Sequence, residues 1–287
     1  MRKIYLLSTE HLESGLWFRG EEDFILAMNY IAVQAACCPE VVVLAFTLMS
    51  NHIHFVLRGK RDDAINFVTQ FKRRYSQHYR QEYGIKEFLR GNGLDVKEIP
   101  LEDEAPERVI AYVLMNSVSA NICSHPCQYP WGTGDVYFSE NVPSGRRLGD
   151  LSDSARVRIL RSKAESLPDN WLIGEKGYIL PNSYVDIAAV ESCFRTPKRM
   201  NYFLNSSSKA KKQITKAEAI FRDQSILVCL PDLCQSLFQK KSFSDLQPDE
   251  QSEVARQIRF RFNSDATQIA RVCGVSYAEA AKLLDNF

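Results

Sequence analysis

The run VVVLAFTLMSNHIHFVLRG, Val41 to Gly59, constrains the fold more than any other stretch of the chain. Two apolar segments flank a polar break at Ser50–Asn51. The first half therefore reads as a buried strand, Val41–Met49, and the second as a returning strand, His52–Leu57, with Asn51 in the turn and Gly59 closing the hairpin. Successive side chains of a strand turn to opposite faces, so His52 and His54 share one face while Ile53 and Phe55 take the other. Two of the chain's five histidines thus stand side by side on a rigid strand. Such a pair is half of a metal site, or a bland pair on a half-exposed sheet, and the hairpin alone does not choose.

The neighbouring segments fix the fold class. Lys3–Thr9 is short, apolar and strand-like, and Leu16–Phe18 reads as a second short strand. Glu21–Cys38 is acidic at its start and carries Phe24, Met28, Ile31 and Ala35 at helical spacing, up to Pro39. From Asp62 to Tyr83 the residues Ala64, Val68, Phe71, Tyr75 and Tyr79 recur at steps of four and three, and Gly84 is placed to cap the helix in the left-handed region. Val96–Ile99 is a strand, and a helix opens at Pro106 and runs to about Cys123. This order predicts an α+β fold, a mostly antiparallel sheet with helices on one face, followed by a mainly helical C-terminal region. Residues 1–140 form the first domain, 141–215 an irregular and helical connection with a basic linker, and 216–287 a helical domain.

Composition narrows the class further. With 287 residues, 45% of them hydrophobic, the chain can bury a sizeable core. Lys and Arg number 36 against 35 Asp and Glu, so any contact with nucleic acid must come from a local patch rather than from the average charge. The eight cysteines are scattered, CSHPC (Cys123–Cys127) lacks the second half of a zinc site, and no segment has the length of a membrane span or a signal peptide. A cytoplasmic protein with reduced thiols and no membrane partner is expected.

On the helix from Pro106, Tyr112 and Asn116 lie four residues apart and so on one face. A carboxamide oxygen and two imidazoles make a three-ligand, open-position site for a divalent ion such as Mg²⁺ or Mn²⁺, and a tyrosine one turn away is a nucleophile toward phosphorus. The helix KRRYSQHYRQEY interleaves cations with aromatic rings, the pattern that suits phosphates and bases of single-stranded DNA; Lys72 and Arg73 are the candidate contacts, and Tyr75 is a rival nucleophile or a core residue. A second basic region holds Arg195, Lys198, Arg199, Lys209, Lys211 and Lys212, a DNA contact or a solubilising loop. At the end of the chain Ile269, Ala270, Gly274, Val275, Ala280 and Leu283 fall at helix-turn-helix spacing, although the second helix, Tyr277–Asp285, carries Glu279, Asp285 and a single lysine.

Taken in order, these segments resemble a known family. LAFTLMSNHIHFVLRG resembles the HUH motif (histidine, hydrophobic residue, histidine) of single-strand DNA transposases, and among them the REP-associated tyrosine transposases, in which the hairpin commonly reads M-P-N-H-hydrophobic-H. AYVLMNSVSANICSHPCQYPWGTGDVYF resembles that family's tyrosine helix, usually Y-I-x-x-N-P-V-R-A-G, followed by a proline–tryptophan pair that here is Pro130–Trp131. Ser50, Ser117, Ser119 and Asn121 stand where the family has proline, proline, arginine and glycine. The resemblance covers residues 1–138 and implies a ferredoxin-like sheet with the histidines on a central strand, metal ligation by His52, His54 and Asn116, and nucleophilic attack by Tyr112. It further implies a 5′-phosphotyrosine intermediate, single-stranded DNA beside a hairpin as substrate, and nicking and rejoining that together amount to transposition. A nucleoid-associated enzyme follows, with monomer and homodimer both open. The alternative is a silent, domesticated DNA-binding regulator that acts through the helical tail.

Overall fold

The structure, a computed structural model, describes residues 2–86, 88–141, 144–161, 167–206, 222–262 and 264–285. β1 (Lys3–Thr9), α1 (Glu21–Cys37), β2 (Val42–Met49), β3 (His52–Gly59), α2 (Arg61–Tyr83) and β4 (Leu94–Ile99) follow one another along the chain. The four strands form one antiparallel sheet in the order β2-β3-β1-β4, which is the ferredoxin-like arrangement of two interleaved βαβ units. The α+β class expected from the element order is the class observed. Because β3 is hydrogen-bonded on both sides, the histidine-bearing strand is interior, as its apolar composition demands.

The two faces of the sheet are dressed differently. Phe55 meets Phe67 and Phe71 of α2 with ring centroids 6.0 and 5.8 Å apart, so α2 covers the Ile53/Phe55 face, with α1 packed beside it. Helices do not stop at that face. α3 (Ala105–Leu114) crosses the opposite, histidine-bearing face, because Thr47, paired with His54 across β2–β3, donates its Oγ1 hydrogen to Val113 O at 2.9 Å.

Leu16–Phe18 is not a strand. All three side chains are buried, but the segment joins no strand ladder, and its carbonyls are held by side chains instead. Tyr75 OH donates to Trp17 O and Tyr79 OH to Leu16 O (3.0 Å), both from α2, while Trp17 N donates to Ser50 O (2.7 Å). The helix expected over Pro106–Cys123 is also interrupted: α3 ends at Leu114 and a single turn, α4 (Asn116–Ser119), follows.

Packing carries the first core beyond residue 140. α5 (Asp153–Leu160), a two-stranded β5 (Arg146–Arg147) and β6 (Leu172–Ile173), α6 (Ile187–Phe194) and α7 (Pro197–Ser206) follow. Val190, Phe194, Phe203 and Leu204 belong to the same core cluster as the sheet, and Leu148, Leu160 and Ile179 pack on Ala32 and Val33 of α1. Arg58 of β3 pairs with Asp186 at 2.7 Å, and Arg199 of α7 pairs with Glu104 (2.8 Å) and Glu107 (3.3 Å) at the start of α3. The free edge of β2, an open invitation to unwanted pairing, is sheathed by this same chain: Leu48 N donates to Trp131 O, Thr133 N to Phe46 O and Asp186 N to Val43 O.

The last unit has its own core, built by α8 (Asp223–Phe238), α9 (Pro248–Phe262), α10 (Ala266–Cys273) and α11 (Tyr277–Asp285) around Ile226, Val254, Ile258, Ile269 and Ala280. α10 and α11 are joined through Gly274, whose φ of 71° lies in the left-handed region that glycine occupies without strain. Most of the basic linker, with Lys209, Lys211 and Lys212, lies outside the described residues. No helix among the described residues is long and apolar enough to cross a membrane.

Candidate metal and tyrosine site

β3 pairs with its two neighbours so that Ser8, His54 and Thr47 form one row across the sheet. Every member of this row performs a separate task. Ser8 Oγ lies 2.7 Å from His54 Nδ1, Thr47 holds α3 by its backbone, and His54 stands between them. His52, two residues earlier on the same face, has Nδ1 2.9 Å from Asn51 Oδ1. In both rings the δ nitrogen faces an oxygen: the Asn51 carboxamide oxygen only accepts, which puts a proton on His52 Nδ1, whereas the Ser8 hydroxyl can donate to or accept from His54 Nδ1. The two imidazoles lie 4.8 Å apart, nearly perpendicular, and both are buried.

α3 brings Tyr112 to this row, its ring centroid 5.5 Å from that of His54. Tyr112 is half-buried, and burial pushes its hydroxyl above the ordinary phenol value. Asn116 is placed less simply. Its Nδ2 donates back to Tyr112 O (2.8 Å) and Val113 O (3.3 Å), the carbonyls that the next helical turn would otherwise occupy. With Thr47 also on Val113 O, side chains intercept the ladder, and this is why α3 breaks at Met115. Asn116 is thus next to Tyr112 along the chain, with its carboxamide nitrogen turned to its own helix. Among the described residues no group of three or more His, Cys, Asp or Glu is arranged to hold a metal ion. The donor chemistry nonetheless fits one: two imidazoles oriented from behind, and a carboxamide oxygen two residues beyond the end of α3.

The other expected residues fall elsewhere. Lys72 is half-buried on α2, on the far face of the sheet, and its ammonium is held by Asn92 O and by Asn92 Oδ1 (2.9 Å). Burial lowers its pKa, the carboxylate of Glu10 partly opposing the shift. Arg73, its neighbour, is exposed. Tyr75, the rival nucleophile, is fully buried against Trp17, Phe18 and Phe71, with burial driving its hydroxyl far above the ordinary range; it is a core residue. The CSHPC segment is a local turn, Cys127 N donating to His125 Nδ1 at 3.4 Å. Arg199 is spent on Glu104 and Glu107.

Sequence reasoning passed over several residues at the site. His11 stacks on His52, centroids 3.7 Å apart and planes within 11°. The near-parallel rings make a stacking contact at the edge of the histidine pair. Asn121, where the resembling family has glycine, adopts φ 54°, a left-handed conformation that asparagine tolerates better than most residues. The signals were present: His11 follows β1 by two residues, and Ser8 lies at the alternation that points to the histidine face.

A cavity of about 490 Å³ opens beside His52, between the sheet domain and the helical domain. His11, Asn51, Ser119 and Asn121 line it from one side, and Arg222, Thr267 and Arg271 from the other. Arg271 is held by Asp223 (3.0 and 3.2 Å), which also accepts from Gln268 Nε2 (2.9 Å). No protein-family model, no curated protein and no solved structure matches this chain.

Proposed function

We propose that this protein is a transposase-like, metal-dependent enzyme that nicks and rejoins single-stranded DNA through a 5′-phosphotyrosine on Tyr112, akin to the REP-associated tyrosine transposases. One observation carries the reading: two imidazoles with engaged δ nitrogens stand side by side on an interior strand, one of them (His54) against the ring of the half-buried Tyr112 and the other (His52) lining a cleft. His52 and His54 would hold Mg²⁺ or Mn²⁺, joined by the Asn116 oxygen, and imidazole donors suit Mn²⁺ the better of the two. When bound, the ion polarises the non-bridging oxygens of the scissile phosphate.

The rest falls to side chains of this chain. Tyr112 oxygen attacks phosphorus in line, its proton passing to water in the cleft; the 3′ oxygen of the preceding nucleotide departs and takes up a proton. The phosphodiester energy stays in the phosphotyrosine, so that a second 3′-OH displaces tyrosine and joins strands without ATP. Thr47 keeps Tyr112 at the histidine face by pinning Val113 O. DNA of this kind, single-stranded beside a hairpin, places the enzyme in the cytoplasm at the nucleoid.

The test uses hairpin oligonucleotides labelled at the 5′ or the 3′ end, with Mn²⁺ or EDTA, resolved on denaturing gels. A metal-dependent protein–DNA band carrying only the 3′ label, and absent from Tyr112→Phe, is the expected result. Cleavage that persists in Tyr112→Phe refutes the assignment. A second reading, a silent DNA-binding regulator, draws on the Asn116 carboxamide being turned onto its own helix; DNA binding with no adduct under any divalent metal favours it.

A further inference from the structure

The helical domain resembles a helix-turn-helix, and in that motif the second helix enters the major groove by its N-terminal residues. Here Tyr277, Ala278 and Glu279 at the start of α11 are exposed. Tyr277 N lies 3.3 Å from Glu13 Oε1 of the sheet domain, and Gln224 Nε2 of α8 donates to Phe18 O at 2.8 Å. What the domain turns toward the histidines is a different surface, the start of α8 and the start of α10.

Resting on the function proposed above, we infer that the helical domain is the second wall of the DNA site: the cleft between the domains holds an unpaired nucleotide of the single strand flanking the scissile phosphate, with Arg222 on its phosphate. Three observations carry this. The cavity, about 490 Å³, lies within the range of about 300–1,000 Å³ that small ligands occupy. Its lining supplies what an unstacked base requires: a carboxamide and hydroxyls from Asn121, Ser119 and Thr267, able to donate and to accept, set among apolar surface from Leu12, Met49 and Ile122. Its acids are committed internally: Asp223 to Arg271 and Gln268, Asp265 to the N–H of Gln268 (2.7 Å), Glu13 to Tyr277. Arg222 is exposed at the rim, within electrostatic reach of Cys123 and Tyr129, where its charge partly opposes the rise that burial imposes on both. Arg271, locked on Asp223, shapes the wall.

The experiment photo-cross-links the full chain in EDTA, where no metal-dependent cleavage occurs, to a hairpin oligonucleotide with a single-stranded tail carrying 4-thiothymidine at successive positions, and maps the adducts by mass spectrometry. One or two tail positions cross-link to peptides spanning 119–122 or 265–271. Cross-links confined to α11 or to α2, or DNA bound with no cross-link in the cleft from any position, overturn the inference. In fluorescence polarisation, Arg222→Glu weakens binding of the same oligonucleotide about tenfold and lowers the salt slope by about one, Arg222→Lys recovers most of it, and Lys282→Glu on α11 leaves it unchanged. Wild-type binding by Arg222→Glu also overturns it. Failure here is separable from failure of the enzyme reading: cleft cross-links with no tyrosine adduct retain the inference and reject the chemistry, whereas a tyrosine adduct with cross-links elsewhere does the reverse.

Discussion

Ser8→Ala separates metal chemistry from packing better than changing a histidine, because Ser8 touches the site only through His54. Its Oγ, 2.7 Å from His54 Nδ1, is the partner that orients the ring from behind. Removing it leaves the imidazole sandwiched between its row neighbour Thr47 and the Tyr112 ring, so the fold loses about one hydrogen bond, roughly 0.5–1.5 kcal/mol. Metal affinity depends on the ε lone pair being available and basic. Losing such a partner behind a ligand costs about 10–100-fold in affinity, equivalent to about 1.4–2.7 kcal/mol.

Titration calorimetry of Mn²⁺ into the full chain measures the affinity, and thermal unfolding with and without saturating Mn²⁺ reads the same difference through linkage. The expected pattern is a modest fall in apo stability and a larger loss of the Mn²⁺-induced shift. Thr47→Val is the comparison: it removes a donor from Val113 O, loosens α3 and lowers adduct yield, with any loss of Mn²⁺ affinity arising through Asn116, which shares that carbonyl, because Thr47 makes no bond to the rings. Should Ser8→Ala bind Mn²⁺ as tightly as wild type while losing apo stability, the histidine row is a structural feature and the metal assignment falls.

Three further outcomes follow from the geometry. A Cβ added at Gly132 would stand 2.8 Å from the carbonyl oxygen of Phe46 in β2, so Gly132→Ala should destabilise the fold by about 1–3 kcal/mol in urea titrations; a neutral effect means the 131–133 segment does not sheathe the β2 edge. With burial holding the Tyr112 hydroxyl above its usual value, the nicking rate under single-turnover conditions should climb with pH without levelling before about 10, and a plateau near neutrality would contradict attack by an otherwise unassisted phenol. Burial pushes Tyr178 up to about 12, and a raised folded pKa means its contribution is intact below about 10 and lost as pH rises toward 12, by up to ~2.7 kcal/mol; Tyr178→Phe should flatten that alkaline decline in unfolding midpoints, and an unchanged slope removes Tyr178 as its source.

Local pattern made much of the sheet domain legible. The Val41–Gly59 hairpin, the stripe of α2 and its left-handed Gly84 cap are set by residues within a few positions of one another, where periodicity and turn chemistry speak directly. Leu16–Phe18 misled for the opposite reason. Three apolar residues in a row suit a strand, but here the backbone partners are tyrosine hydroxyls from α2, supplied from some sixty residues away and invisible to a local pattern. The interruption at Met115 is subtler still. Tyr112 and Asn116 at i and i+4 read correctly as neighbours, yet the same spacing lets the carboxamide capture the carbonyls that should continue the helix, aided by a hydroxyl from β2.

The cleft marks the limit of such reading, and the reason bears on function. Arg222 and Arg271 carry no motif, and neither is near the histidines in the chain; they reach the site only because Gln224 meets Phe18 and Tyr277 meets Glu13 across more than two hundred residues. A helix-turn-helix pattern records how a domain packs internally, through Ile269, Ala270 and Ala280, and is silent on which of its surfaces is left outward. Docking decides that. Here the start of α11 stays exposed while the polar starts of α8 and α10 face the histidines. On the inference above, the helical domain would complete the site, so deleting residues 222–287 should impair single-strand binding and adduct formation together, whereas a separate DNA reader would lose binding and leave adduct formation at saturating oligonucleotide unchanged.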